Sequence, residues 1–282
     1  MRLLVVSLLL LFGLPFIMTE VVDSFQNCRE FFFNEQPPVF PGILNNSVSQ
    51  DNNRYKLICQ KYETTYRFAT LYDTTNRIPV FSAYKYTGSY TGRPHKPWKI
   101  EPQLETLGGE MREPCVHQAS SEDYWAQSAL NRGHLFPNAH APDNITAEST
   151  FTLTNTVPQY KNFNNGSWVR MEEEVRSIMD SHCRDRDDPN KMLAYVLTGA
   201  VPSTANFLKH KVNIPSNMWT AFCCYNGTTW VSQTHRAENK DSNTNQINAK
   251  TLENLKSEFL QNKYGSGAIV LFNNECSEFL KT

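Results

Sequence analysis

Asn131-Arg132-Gly133-His134-Leu135-Phe136-Pro137 and, further on, Asn164-Asn165-Gly166-Ser167-Trp168-Val169-Arg170-Met171-Glu172 decide how this chain reads. Histidine is the commonest general base near neutral pH, and Gly133 permits close approach of backbone or substrate beside it. An Asn side-chain oxygen is a hard, neutral ligand of the kind Mg2+ accepts while keeping most of its waters. Arg132, next to the base, is a donor suited to a phosphate oxygen. A base, a ligand for a hard cation and a phosphate donor together point to phosphodiester hydrolysis.

Two further stretches extend the pattern. One is Thr154-Asn155-Thr156-Val157-Pro158-Gln159. The other is Gly92-Arg93-Pro94-His95-Lys96-Pro97-Trp98-Lys99-Ile100-Glu101-Pro102-Gln103-Leu104. With these in order, the chain from about Tyr55 to Arg176 resembles the DNA/RNA non-specific endonuclease family. That family carries an Asp-Arg-Gly-His signature and an upstream Gly-x-x-Arg-x-Trp-Lys-x-Asp-Pro-x-Leu segment. Among its branches the chain is most similar to the secreted vertebrate endonuclease domain-containing proteins. The resemblance implies an α+β fold, a mostly antiparallel sheet with packed helices around a ββα-metal (His-Me finger) nuclease core.

The resemblance also assigns roles. His134 would take a proton from the attacking water, neutral and held in one tautomer by an acceptor on its other ring nitrogen. Asn164 would be the sole protein ligand of one Mg2+, with Mn2+ as a substitute. Glu172 would hydrogen-bond a metal-bound water, which suits its place about 12 Å along a helix axis from Asn164. Arg132, Lys96 and Arg176 would steady the phosphate of DNA or RNA. Each has a plainer reading beside it. Asn164 also suits a polar position ahead of a helix, and Glu172 with Arg176 has the spacing of a surface ion pair worth about 0.3–0.5 kcal/mol. His140 reads as structural, and Trp98 as a core anchor rather than a base-stacking platform.

Two positions depart from the family. Lys96 stands for Arg and loses the bidentate fork. Asn131 stands for the signature Asp and is placed with Lys96 and Arg176 at the substrate. Asn keeps an acceptor but not the charge, and in an unrelated hydrolase the same exchange costs about 10⁴ in rate. The contrasting reading is therefore a protein that keeps the nuclease fold, has weakened catalysis, and binds extracellular nucleic acid or another polyanion.

Residues 1–19 hold one Arg followed by an apolar run that Pro15 breaks, a secretory signal peptide rather than a membrane span. Residues 20–282 then read as one domain, secreted or lumenal, with no membrane partner. Oligomeric state is not legible. Without Arg2, 26 basic side chains face 28 acidic ones. Coating nucleic acid by bulk charge is thereby excluded, and any contact must come from a local groove. Seven cysteines in a secretory chain imply disulfides. Cys28 with Cys59 is the preferred pair, and adjacent Cys223 and Cys224 take different partners because neighbouring strand residues face opposite ways. Sequons at Asn45, Asn144, Asn165 and Asn226 mark a glycoprotein, with Asn165 expected to be unmodified beside Asn164.

Strands are expected over Tyr55–Tyr62, Tyr66–Asp73, Ile78–Thr87, Phe151–Val157 (stopped by Pro158), Lys191–Val201 and Ala268–Phe272. Asn226-Gly227 marks a hairpin between Thr220–Tyr225 and Thr228–Thr234. Trp168, Met171, Val175, Ile178 and Met179 trace one helix face, with Ser167 as N-cap, and Leu252–Tyr264 reads as a helix ending at Gly265.

Overall fold

The computed structural model describes residues 20–105, 115–242, 246–265 and 267–279. The signal-peptide expectation for 1–19 lies outside the described residues. The strands that matter are β1 (Glu20–Val22), β2 (Tyr55–Tyr62), β3 (Thr65–Asp73), β4 (Ile78–Tyr86), β5 (Leu130–His134), β6 (Thr156–Tyr160), β7 (Ala194–Val201), β8 (Asn217–Tyr225), β9 (Trp230–Glu238) and β10 (Ser277–Glu278). The helices are α1 (Asn144–Ser149), α2 (Val169–His182) and α3 (Gln261–Tyr264).

Runs of β-branched and aromatic residues place β2, β3 and β4 in an antiparallel meander. The main sheet has the order β1-β2-β3-β4-β7-β8-β9-β10, with every pair antiparallel except β9 with β10. Between β4 and β7 the chain leaves this sheet, and the excursion carries β5, β6, α1 and α2 before β7 returns beside β4. β5 and β6 form a separate antiparallel ribbon, pairing His134 with Thr156 and Gly133 with Val157.

Both faces of the main sheet are covered. On β8, Trp219, Ala221 and Cys223 join one core with Phe25, Phe40 and Phe81, while Met218, Phe222 and Cys224 join the other with Phe136, Trp168 and Val175. Alternate residues of a strand face opposite sides, so burial on both sides explains why this strand reads as a nearly continuous apolar run. Gly199 of β7 is required here, since a Cβ would lie 2.4 Å from the Trp219 ring and from Val80 O.

Disulfides join Cys28 to Cys59, Cys183 to Cys224 and Cys223 to Cys276. The adjacent cysteines do take partners on opposite faces, and Cys183–Cys224 fastens the end of α2 to β8. The seventh cysteine, Cys115, is buried.

Three local expectations need correction. β6 runs through Pro158 instead of stopping before it, preceded by a 3-10 turn at Leu153–Asn155. A two-stranded ribbon leaves an open edge on each strand, where a missing N–H is tolerated. Ala268–Phe272 makes only a single bridge, Val270 to Val39, because left-handed backbone at Phe272, Asn273 and Asn274 turns the chain away. Ser167 caps nothing: helical backbone begins earlier, at Lys161, and Ser167 lies buried inside a π-helical turn, Phe163–Trp168, that runs into α2.

Candidate active site

The β5–β6 ribbon and the π turn enclose a cavity of about 360 Å³. Its walls include Arg93, Asn131, Arg132, His134, Asn164 and Glu172. Thus a strand ends in His134 and a helix opens around Asn164, and the two side chains share one cleft.

Buried polar pins set the ribbon. Asn155 is fully buried and satisfied on both ends of its amide. Its Oδ1 accepts from Ser82 Oγ at 2.9 Å and Phe136 N at 3.0 Å, and its Nδ2 donates to Phe136 O and Thr150 O, each at 3.1 Å. The loop leaving His134 is thereby fixed to β4. Gly133 serves packing, not substrate: a Cβ there would fall 1.8 Å from Oε1 of Gln159, which lies fully buried across the ribbon. His140 joins β4 to α2. Its Nε2 faces the Glu172 carbonyl at 3.1 Å, and its Nδ1 faces the Tyr84 hydroxyl at 2.9 Å. A carbonyl only accepts, so Nε2 carries the proton and Tyr84 donates to Nδ1. Burial pushes this imidazole down to about 4, which keeps that tautomer neutral.

His134 is held differently from the expectation. No carbonyl meets its Nε2, which is buried without a hydrogen-bond partner. The ring is wedged between Trp98 and Phe151, with centroids 5.0 and 5.1 Å away. Burial, and secondarily the Arg93 charge, pushes the imidazole down to about 3. Glu172 shows the opposite shift for the same reason. Burial, aided by Glu173 and partly offset by the nearby Trp168 indole, pushes its carboxyl up to about 8.

Asn164 sits in the π turn, anchored by the fully buried Trp168 against Phe163 with ring centroids 5.5 Å apart. Asn165 Oδ1 accepts from Asn131 Nδ2 at 3.3 Å and lies 3.5 Å from Asn164 Nδ2. Asn131 thus turns toward Asn165. Arg132 donates from Nη2 to Ser121 O at 3.1 Å, with its guanidinium 4.9 Å over the Tyr124 ring and 5.6 Å over Trp98.

Two expected contributors are not brought in. Lys96 is drawn to Glu148 at 3.3 Å, in a cluster with Tyr62, and does not line the cavity. Arg176 is one helical turn beyond Glu172 and half-buried, where its charge acts on His140 and Tyr86. It makes no ion pair with Glu172. Sequence reading missed two others. Arg93 lines the cavity with its guanidinium 5.5 Å over Phe151, and Asn138 lines it with Nδ2 bonded to Gly92 O at 3.0 Å. Both come from irregular segments where spacing gives no orientation, although Arg93 lies in the Gly92–Leu104 segment that carries part of the family resemblance.

The donor set suits a hard cation. Asn164 and Glu172 offer an amide oxygen and a carboxylate, and Asn138 Oδ1 is buried with no hydrogen-bond partner. Among the described residues no three His, Cys, Asp or Glu side chains gather to hold a metal, so a cation here would keep much of its water. No helix among them is long and apolar enough to cross a membrane.

The family model for DNA/RNA non-specific endonuclease matches residues 49–267, a span holding the whole cavity. The chain belongs to that family. It is 32% identical over 218 residues to the Endonuclease domain-containing 1 protein of Homo sapiens, covering 73% of this chain and 40% of that one. The chain therefore spans about two-fifths of the human relative's length. A Nuclease of Nostoc sp. is 24% identical over 155 residues, covering 54% of this chain and 50% of the relative. Among solved structures, the EndoG/EndoGI complex contains a chain with TM-score 0.54 at 16% identity, covering 77% of this chain and 89% of that one. That likeness shows the fold, α+β, in which the β5–β6 ribbon is followed by the helix that runs through α2.

Proposed function

We propose that the protein is a secreted, Mg2+-dependent endonuclease that hydrolyses phosphodiester bonds of DNA and RNA with low sequence specificity, with Mn2+ as a substitute cation. The observation that carries this reading is the convergence of a neutral histidine, a cation-suited amide and carboxylate, and two arginines on one cavity. Family membership supports the reaction class. Three disulfides support an oxidising compartment.

His134 acts as the base. With its imidazole pushed down to about 3 it is unprotonated when the cavity is empty of substrate. An anionic phosphodiester beside the ring favours the imidazolium and raises that value toward neutrality, so proton acceptance is coupled to substrate binding. Arg93 and Arg132 hold the non-bridging oxygens and offset charge that grows on phosphorus. Asn164, with Glu172 through water, would hold the divalent cation, which when bound polarises the phosphate and stabilises the departing oxyanion. Glu172 is raised to about 8 alone, and a neighbouring cation favours its carboxylate.

A second reading, a nuclease-fold protein that binds nucleic acid without turning it over, is favoured by Asn131 where the family carries Asp. Plasmid nicking by the purified secreted protein separates the two. The enzyme reading expects Mg2+-dependent nicking and RNA cleavage that EDTA and His134→Ala abolish. Inert protein that still retains plasmid would support the binder.

A further inference from the structure

Arg132 is the cavity residue that leads outward. Beyond Ser121 O and the Tyr124 ring, the 3-10 turn Ser121–Tyr124 that it touches ends at Trp125, whose N–H donates to Glu122 O at 3.2 Å. The Trp125 indole is 61% exposed, more than any other large apolar side chain among the described residues. Trp168 and Trp219, by contrast, are fully buried. Ala126 follows in the left-handed region at φ +61°, a conformation a residue with a Cβ rarely adopts. The exposed indole thus ends the turn that Arg132, a wall of the cavity, touches.

Basic side chains continue from the same turn. Lys209 Nζ donates to Glu122 O, Lys211 Nζ pairs with Asp123 at 2.6 Å, and Arg77 Nη1 donates to Lys211 O at 3.0 Å. In a chain with net charge −1, Arg132, Lys209, Lys211 and Arg77 thus outnumber the two carboxylates of the turn, Asp123, which Lys211 pairs, and the exposed Glu122, and form a local basic track.

We infer that Trp125 is a stacking platform for an unpaired nucleobase, and that the substrate strand leaves the cavity over Arg132 and along this track as single-stranded nucleic acid. The inference rests on the nuclease reading and narrows its substrate. A duplex base is stacked on both faces and cannot lie on the indole, whereas any unpaired base can, which matches low sequence specificity. The backbone of the same strand meets the lysines and arginines.

Anisotropy of a labelled oligothymidylate, measured in EDTA at low salt, tests this without requiring turnover. Trp125→Ala should bind about 5- to 100-fold more weakly than wild type, Trp125→Phe should retain most of the affinity, and binding of a duplex of equal length should hardly change. Quenching of indole fluorescence on binding should be reduced in Trp125→Phe, leaving only the part due to Trp98 in the cavity wall. Equal oligothymidylate binding by wild type and Trp125→Ala overturns the platform, as does an equal loss on single strand and duplex. So does unchanged oligonucleotide binding with loss of self-association, which would make Trp125 a protein contact. Expected binding with no cleavage in Mg2+ upholds the platform and overturns the nuclease reading alone. Normal cleavage with Trp125-independent binding does the reverse.

Discussion

The amide nitrogen of Asn131 donates to Oδ1 of Asn165, 3.3 Å away, and the same oxygen lies 3.5 Å from Nδ2 of Asn164. One acceptor thus collects two amide donors, an arrangement that leaves Oδ1 of Asn164 for the cavity. The residue that departs from the family signature is turned toward Asn165 and Asn164 rather than toward His134.

Asn131→Asp therefore should not restore a lost charge to His134. A carboxylate is acceptor-only and would face Asn165 Oδ1. If the Asn165 amide flips to meet it, Asn164 loses its partner. The expected outcome is a roughly 10-fold fall in kcat/KM, the scale of one lost hydrogen bond, with more Mg2+ needed to reach half-maximal rate. A large rise in kcat, with the acid limb of the pH profile moving upward, would show that this position orients His134 after all.

Glu172 links function to stability through pH. Its folded carboxyl is raised to about 8 from an ordinary 4.5, so the contribution is full below pH 4.5 and lost as pH rises toward 8. Glu172→Gln should remove that loss and raise stability at pH 7.5 by about 1–3 kcal/mol, after discounting for partial exposure, or roughly 3–8 °C in Tm. The gain should vanish near pH 4, and cleavage should fall. His134 and His140 act the other way, because their depressed values give stability that is present above pH 6.5 and lost on acidification. Thermal melts from pH 4 to 8 with the single variants read out both signs.

Asn155→Asp tests the buried pin. The carboxylate cannot donate to Phe136 O or Thr150 O, and its charge would be buried beside two carbonyls. A loss of about 3–5 kcal/mol in urea unfolding is expected, against about 1–3 kcal/mol for Asn155→Ala. Similar small losses for both would mean that the ribbon does not depend on this amide.

Much of this fold is legible because local and global preferences agree. Asn226-Gly227 has one favourable use, and Gly227 takes φ +94° between β8 and β9. Trp168, Met171, Val175 and Met179 repeat at helical spacing, and all are buried. The cavity is legible only where residues sit on regular elements. His134 ends a strand and Glu172 lies on α2, so spacing places them. Arg93 and Lys96 share an extended, proline-containing segment, and the competition between the cavity and Glu148 for a cation is decided by tertiary approach. Likewise nothing local shows that Asn155 is a pin, that Gln159 crosses Gly133, or that a π turn lets the helix begin ahead of Ser167.

Cation binding and cleavage measured on the same samples of wild type, His134→Ala and Asn164→Ala test the central claim most directly. Mn2+ binding by electron paramagnetic resonance reports the ligand, and single-turnover cutting of a labelled oligonucleotide reports the base. His134→Ala should bind Mn2+ like wild type and lose cleavage by about 10²–10⁴. Asn164→Ala should lose both. Undiminished cleavage by His134→Ala, or Mn2+ binding that survives in Asn164→Ala, would contradict the assignment of base and ligand to this pair.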